Sequence, residues 1–188
     1  PLNIGPIGVT GSNSANTIAN KADLIIAVGT RLQDFTTGSW TVFSIDSKFI
    51  SINTARHDAT KHLSLPIVGD AKLALTTLSK ACSGFKASSE WMSFAQDERK
   101  KWDAYVSDNI SVVNNRPNSY AQAIGVVNAI CEQRDRIVAA AGGLPAEVTA
   151  NWRTLDIGTV DVEFGFSCMG YEIAGAWGAK IAQSQNES

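Results

Sequence analysis

The sequence predicts an α/β protein: a Rossmann-like parallel-sheet central domain, followed by the first part of a second α/β domain. Three observations predict this. The run DLIIAVG at 23–29 is continuously apolar and stops at a glycine, the pattern of a strand buried on both faces. Short runs of this kind alternate with helical patterns as far as residue 84. After a long polar helical stretch, RIVAAAGGLPAEV (136–148) repeats the order of strand, glycine turn and helix.

In chain order, SNSANTIANK (12–21) opens on capping residues and has helical spacing. KFISIN (48–53) and LPIVGD (65–70) are two further strands, and ARHDATKHL (55–63) between them is a short helix or turn. DAKLALTTLSKAC (70–82) places Leu73, Leu75, Leu78 and Cys82 at helical spacing and ends at Gly84. The composition shifts near Ser83. Residues 1–84 are therefore assigned to the central domain, 85–118 to a helical connector and 119–188 to the opening of the second domain.

The connector predicts a helix over roughly 89–115, with Trp91, Phe94, Trp102, Tyr105, Val106, Ile110 and Val113 on one face. Its charged centre, QDERKK, implies packing at the two ends and a wetter middle. YAQAIGVVNAICEQ (120–133) is a helix, RIVAAAG (136–142) a buried strand, and TLDIGTVDVEFGF (154–166) irregular or strand-like. A final helix begins near Met169.

Composition narrows the function. The 188 residues carry a net charge of −2, which argues against a nucleic-acid partner. No apolar run approaches the ~18–20 residues of a membrane span. Cys82, Cys131 and Cys168 are odd in number and far apart, with no C-x-x-C, so a reducing, cytoplasmic setting is expected. His57 and His62 are five apart where a helical metal pair prefers four, so both read as surface or structural and no metal ligand is assigned. So few histidines support no Ser–His–Asp arrangement, and no catalytic residue is assigned. The first residue is Pro1, not Met, so the chain is expected to be an excised piece.

Four segments invite a ligand. GPIGVTGSNSAN spaces Gly5, Gly8 and Gly11 as G-x-x-G-x-x-G, not as a dinucleotide fingerprint; capping by Ser12 or Asn13 competes with nucleotide binding. GTRLQDFTTGSW (29–40) follows a strand at its carboxyl end, where Arg31, Asp34 and Thr36–Ser39 face a ligand or an Arg31–Asp34 pair stiffens the loop. AAAGGLPAEV leads a strand through Gly142 and Gly143 into a helix with Pro145 in its first turn. That is an anion-site geometry or a plain turn, and Glu147 already supplies negative charge there.

In the last segment, FSCMGYEIAGAWGAKIA, Gly170, Ala174, Gly178 and Ala182 form a stripe almost without side chains, widened by Gly175 and Ala179. Each interior glycine costs about 1 kcal/mol relative to alanine. Close approach of a backbone or ligand, or tight helix–sheet packing, is the expected compensation. Met169, Ile173, Trp177 and Ile181 read as core, and Cys168 as a packed hydrophobe in a compact apolar turn.

Taken together, ADLIIAVGTRLQDFTTGSW, FISIN, LPIVGDAK, AAAGGLPAEV and VEFGFSCMGYEIAGAWGAKIA resemble the thiamine-diphosphate enzymes of the acetohydroxyacid synthase and decarboxylase type. Within that family the likeness is greatest to the hydrolases that open a cyclic 1,2-dione in inositol catabolism. The resemblance implies thiamine diphosphate and Mg²⁺ as cofactors of a longer, homo-oligomeric parent with a cyclic diketone substrate. It also implies that this piece, without the activating glutamate and the G-D-G metal motif, is inactive and binds no cofactor alone. It places Gly142, Gly143, Leu144 and Pro145 at the diphosphate loop, where contacts would come from backbone groups. It places Cys168, Met169 and Gly170 against the aminopyrimidine and thiazolium, with Met169 as the wedge that bends the cofactor. An acetolactate synthase-like enzyme, a 2-oxo-acid decarboxylase, and a non-catalytic nucleotide- or flavin-binding module remain the alternatives.

Overall fold

The computed structural model describes residues 3–113, 116–163 and 165–185. It is α/β, with two separate parallel sheets. The chain divides into two compact units, Pro1–Asp103 and Ala104–Ser188, and the division falls within one long helix.

The first unit holds helix α1 (Asn13–Lys21), strand β1 (Leu24–Val28), a single helical turn α2 (Asp34–Thr37), β2 (Lys48–Asn53), α3 (Arg56–Ala59), β3 (Leu65–Val68) and α4 (Ala71–Ala81). A 3-10 turn at Lys61–Leu63 joins α3 to β3. Ser12 caps α1 by accepting the Ala15 N–H at 3.0 Å, and Asp70 caps α4 by accepting that of Leu73 at 2.9 Å. β1, β2 and β3 lie side by side in that order, with Ile26 opposite Ile50 and Ile52 opposite Ile67. On one face Ala19, Val42 and Phe43 pack against Ile25 and Phe49. The other face is open: Leu24, Ile26 and Val28 are exposed, so β1 is not buried on both faces as its apolar run predicted. The helices and loops that pack on β1 cover the side of Ile25 and Ala27. Apolar sequence marked the strand but did not say which face the described residues cover.

Helix α5 runs Ser89–Ile110, five residues short of the predicted end; Asn114 and Asn115 lie outside the described residues. In its charged centre Gln96, Asp97, Lys100 and Lys101 are exposed, as expected, but the stretch is not uniformly wet. Glu98 and Trp102 are buried one turn apart, and Tyr105 and Val113 of the predicted face are exposed. The Trp102 ring lies under Gly5, where an added Cβ would come within 2.9 Å of it. Glu98 pairs with Lys101 at 2.5 Å.

The second unit contains α6 (Tyr120–Ile130), β4 (Ile137–Ala139), α7 (Leu144–Asn151), β5 (Val160–Val162) and α8 (Tyr171–Gln185). β4 and β5 are parallel, with Val138 opposite Asp161. Ile124, Ala139, Val148 and Trp152 make the core between sheet and helices. The segment at 154–166, expected to be irregular or strand-like, contains the strand β5. On α8, Gly175 lies over Val138, 3.2 Å from where its Cβ would be. Gly175 and Ala179 of the small-residue stripe are half-buried, whereas Ala174, Gly178 and Ala182 are exposed. Met169, Ile173, Trp177 and Ile181, read as core from their spacing, are exposed, Met169 at 90% and Trp177 at 73%. Among the described residues the second sheet has only two strands, and that side of the helix is exposed. Among the described residues no helix is long and apolar enough to cross a membrane.

Candidate functional site

Two loops leave the carboxyl ends of adjacent parallel strands β4 and β5. Ligands of open α/β sheets bind at that end. After β4 the chain passes through Ala140 and Ala141 to Gly142, which has φ +85°, and Gly143, which caps α7 without a side-chain bond. Gly142 needs glycine for its left-handed backbone. Gly143 does not, with φ −79°, and a Cβ there would meet nothing within 4 Å. Pro145 is buried in the first turn and has no N–H. Among the described residues no hydrogen bond engages the N–H groups of Gly142, Gly143 or Leu144. These three amides lie in sequence at the N-terminal, positive end of an eight-residue helix. Glu147 does not fill that position: its carboxylate accepts the Asn151 side-chain N–H at 2.9 Å, one turn along the helix.

The loop after β5 is organised by two glutamates that the sequence reading passed over. Glu163 extends the ladder by donating its N–H to Ala139 O at 2.9 Å. Its carboxylate then accepts the N–H of Phe166 at 2.7 Å and of Cys168 at 3.0 Å. These bonds hold the Glu163 carboxyl below the ordinary carboxylate range, Phe166 contributing most, then Cys168. Ser167 accepts a left-handed backbone, φ +53°, inside this clasp. Cys168 is exposed, not packed as its sequence context implied, because the turn is held by backbone bonds to a carboxylate and not by side-chain packing. Phe164 lies outside the described residues.

Glu172, in the first turn of α8, joins the two loops. One carboxylate oxygen accepts the Gly170 N–H at 2.9 Å, the other the Ala141 N–H at 3.3 Å. Its pKa is also lowered, chiefly by its own backbone N–H and then by those of Gly170 and Ala141. The segments holding Gly142–Pro145 and Cys168–Gly170 are thus brought together through one side chain. The signal available in the sequence was an acid two residues after a glycine at a helix start, a position that serves loop amides.

Residues 1–78 match the family described as thiamine pyrophosphate enzyme, central domain. The likeness to that family's model is confined to this part of the chain. Over its whole length the chain is similar to proteins named 3D-(3,5/4)-trihydroxycyclohexane-1,2-dione hydrolase: 36% identical to one from Bacillus cereus, 35% to one from Bacillus anthracis and 36% to one from Geobacillus thermodenitrificans. The chain spans about a third of the length of these curated relatives, 32–33%.

Within the matched residues, the glycine-rich segment is committed to folding. Asn16 binds both backbone groups of Gly8, Val9 N–H donates to Phe35 O at 2.8 Å, and Ser12 N–H to Pro6 O at 2.8 Å. Those amides have no capacity left for a phosphate. Ser12, not Asn13, is the cap. In the loop after β1, no ion pair joins Arg31 and Asp34 among the described residues. Lys61 instead donates to Arg31 O at 2.8 Å and pairs with Asp58 at 2.7 Å. His62 stacks on Trp40, ring centroids 3.4 Å apart, a structural role. Among the described residues no group of three or more His, Cys, Asp or Glu is disposed to hold a metal ion, and the three cysteines are free thiols.

Proposed function

We propose that the chain is part of a thiamine-diphosphate-dependent enzyme that hydrolyses a carbon–carbon bond of trihydroxycyclohexane-1,2-dione, opening its ring. The observation that carries this reading is the full-chain likeness, at 35–36% identity, to hydrolases of that name. The loops at β4 and β5 support the cofactor class. Free amides at Gly142, Gly143 and Leu144 suit a diphosphate by donor chemistry, and the open Cβ position of Gly143 leaves room for its oxygens. Residues 119–188 would then be the opening of the diphosphate-binding domain.

When bound, thiamine diphosphate supplies a nucleophilic carbon and an electron sink for the breaking bond. This chain's residues would bind and orient. Gly142, Gly143 and Leu144 donate N–H groups to the diphosphate, and Pro145 fixes the first turn of α7 behind them. Glu163 holds the Cys168–Met169–Gly170 turn, which presents the exposed Met169 thioether as an apolar support for the cofactor rings. The protein ligands of Mg²⁺ would come from outside the described residues. In this reading the 188 residues alone are inactive, and the parent is a cytoplasmic homo-oligomer acting on a small molecule without nucleic acid.

The test is product analysis of the full-length enzyme. Ring-opened acid formed from the dione only with added thiamine diphosphate is the expected result. Turnover without thiamine would overturn the cofactor class; acetohydroxyacid formation or 2-oxo-acid decarboxylation without ring opening would overturn the substrate.

A further inference from the structure

We infer that Glu172 is a positioning residue, a brace that fixes the Gly142–Gly143 loop and the Met169–Gly170 turn at one spacing before any cofactor arrives. The cofactor half of this inference rests on the proposed function; the brace itself rests on geometry alone.

The ladder between β4 and β5 ends at Glu163 N–H, bonded to Ala139 O. Beyond it, the two loops have no backbone bond to one another among the described residues. They are joined by Glu172, whose two oxygens accept one amide from each: Ala141, which precedes Gly142, and Gly170, which follows Met169. The carboxylate is placed by α8, and α8 is placed by Gly175 against Val138 of β4. A bulkier residue at 175 would lift the helix and carry Glu172 away from Ala141. The small residue at that position therefore serves the spacing of the two loops. The negative charge also lies in the first turn of α8, where the helix dipole favours it.

Two acceptor oxygens are required. Glutamine offers one acceptor and one donor, so one of the two N–H groups would face another donor. Aspartate is one methylene shorter and cannot span both. Neither conservative change restores the brace.

The experiment has two arms. In the first, hydrogen exchange is measured on this chain without cofactor, wild type against Glu172→Gln and Glu172→Ala. Loss of a charge-assisted bond is expected to speed exchange at Ala141 and Gly170 by about tenfold or more, with Val138 and Val162 unchanged. Unchanged exchange at Ala141 and Gly170 overturns the brace whatever the enzyme does. In the second arm, thiamine diphosphate affinity of the full-length enzyme is measured by calorimetry. About tenfold weaker binding in Glu172→Gln is expected, with kcat at saturating cofactor within about threefold of wild type. Equal affinity in wild type and variant overturns the positioning role. A wild type that binds no thiamine diphosphate overturns the proposed function and with it the cofactor half, while the exchange arm still decides the brace.

Discussion

Asn16 grips Gly8 by both backbone groups: its Oδ1 accepts the Gly8 N–H at 2.9 Å and its Nδ2 donates to the Gly8 carbonyl at 2.9 Å. This pins the entry segment onto α1. Removing the side chain with Asn16→Ala leaves both groups of Gly8 without their partner and is expected to destabilise the chain by about 1–3 kcal/mol. Gly8→Ala is expected to do more. An added Cβ would lie 2.1 Å from Phe35 O, and φ at Gly8 is +107°. Clash and strain together predict a loss of about 3 kcal/mol or more. Urea denaturation followed by tryptophan fluorescence measures both.

Two isoleucines test where the core lies. Ile52 in β2 is fully buried and Ile45 is 99% exposed. Ile52→Ala is expected to cost about 2–5 kcal/mol by transfer and cavity effects. Ile45→Ala should stay within about 0.5 kcal/mol. Similar losses at the two positions would contradict the packing described.

The Glu163 clasp has a pH signature. Its carboxyl titrates below the ordinary 4.5 because amides of Phe166 and Cys168 bond the charged form. A depressed folded pKa contributes stability above the unfolded value and loses it as pH falls through the folded one. Exchange protection at Phe166 and Cys168 is therefore expected to hold above about pH 4.5 and to be lost only as the pH falls on through the lowered Glu163 pKa. In Glu163→Gln that pH dependence should disappear; a retained titration would assign it to another group.

His62 carries the opposite charge but the same pH direction. Burial first, then the Lys61 charge, lowers its pKa from 6.5, against a weaker pull from Asp34. The unfolded chain binds the proton more readily, so stability should fall as pH drops below about 6.5. The imidazole resonances should titrate with a midpoint below 6.5, and His62→Gln should flatten the stability profile between that midpoint and 6.5.

Gly143→Ala separates folding from binding. The backbone there is ordinary and the new methyl meets nothing. Stability of this chain should be unchanged or higher by about 0.4–1 kcal/mol. In the full-length enzyme the same methyl would occupy the space assigned to the diphosphate, and about tenfold weaker cofactor binding is expected in calorimetry.

Strands and helices were legible in particular runs. KFISIN and LPIV became β2 and β3 with little shift, and Ser12 and Asp70 capped helices as their chemistry dictates. β5 was harder, since a strand of three residues, Val160–Val162, carries too short a pattern to decide between strand and irregular chain. Burial was misread wherever the pattern named residues that avoid water without naming their cover, as at Leu24, Ile26, Ile173 and Trp177. At the site, Gly142, Gly143 and Gly170 were visible because turns demand glycine. Glu163 and Glu172 were not, because their partners are loop amides fixed only once α8 settles on β4.

The five tryptophans are distributed so that the molecule carries its own optical gauge. Trp102 and Trp152 are shielded while Trp177 projects from the outer side of α8 into water. Acrylamide should quench Trp177 first and take the red edge of the emission with it. Any surface that comes to lie on that side of the helix would shift this one indole to the blue and leave the two interior ones unaltered.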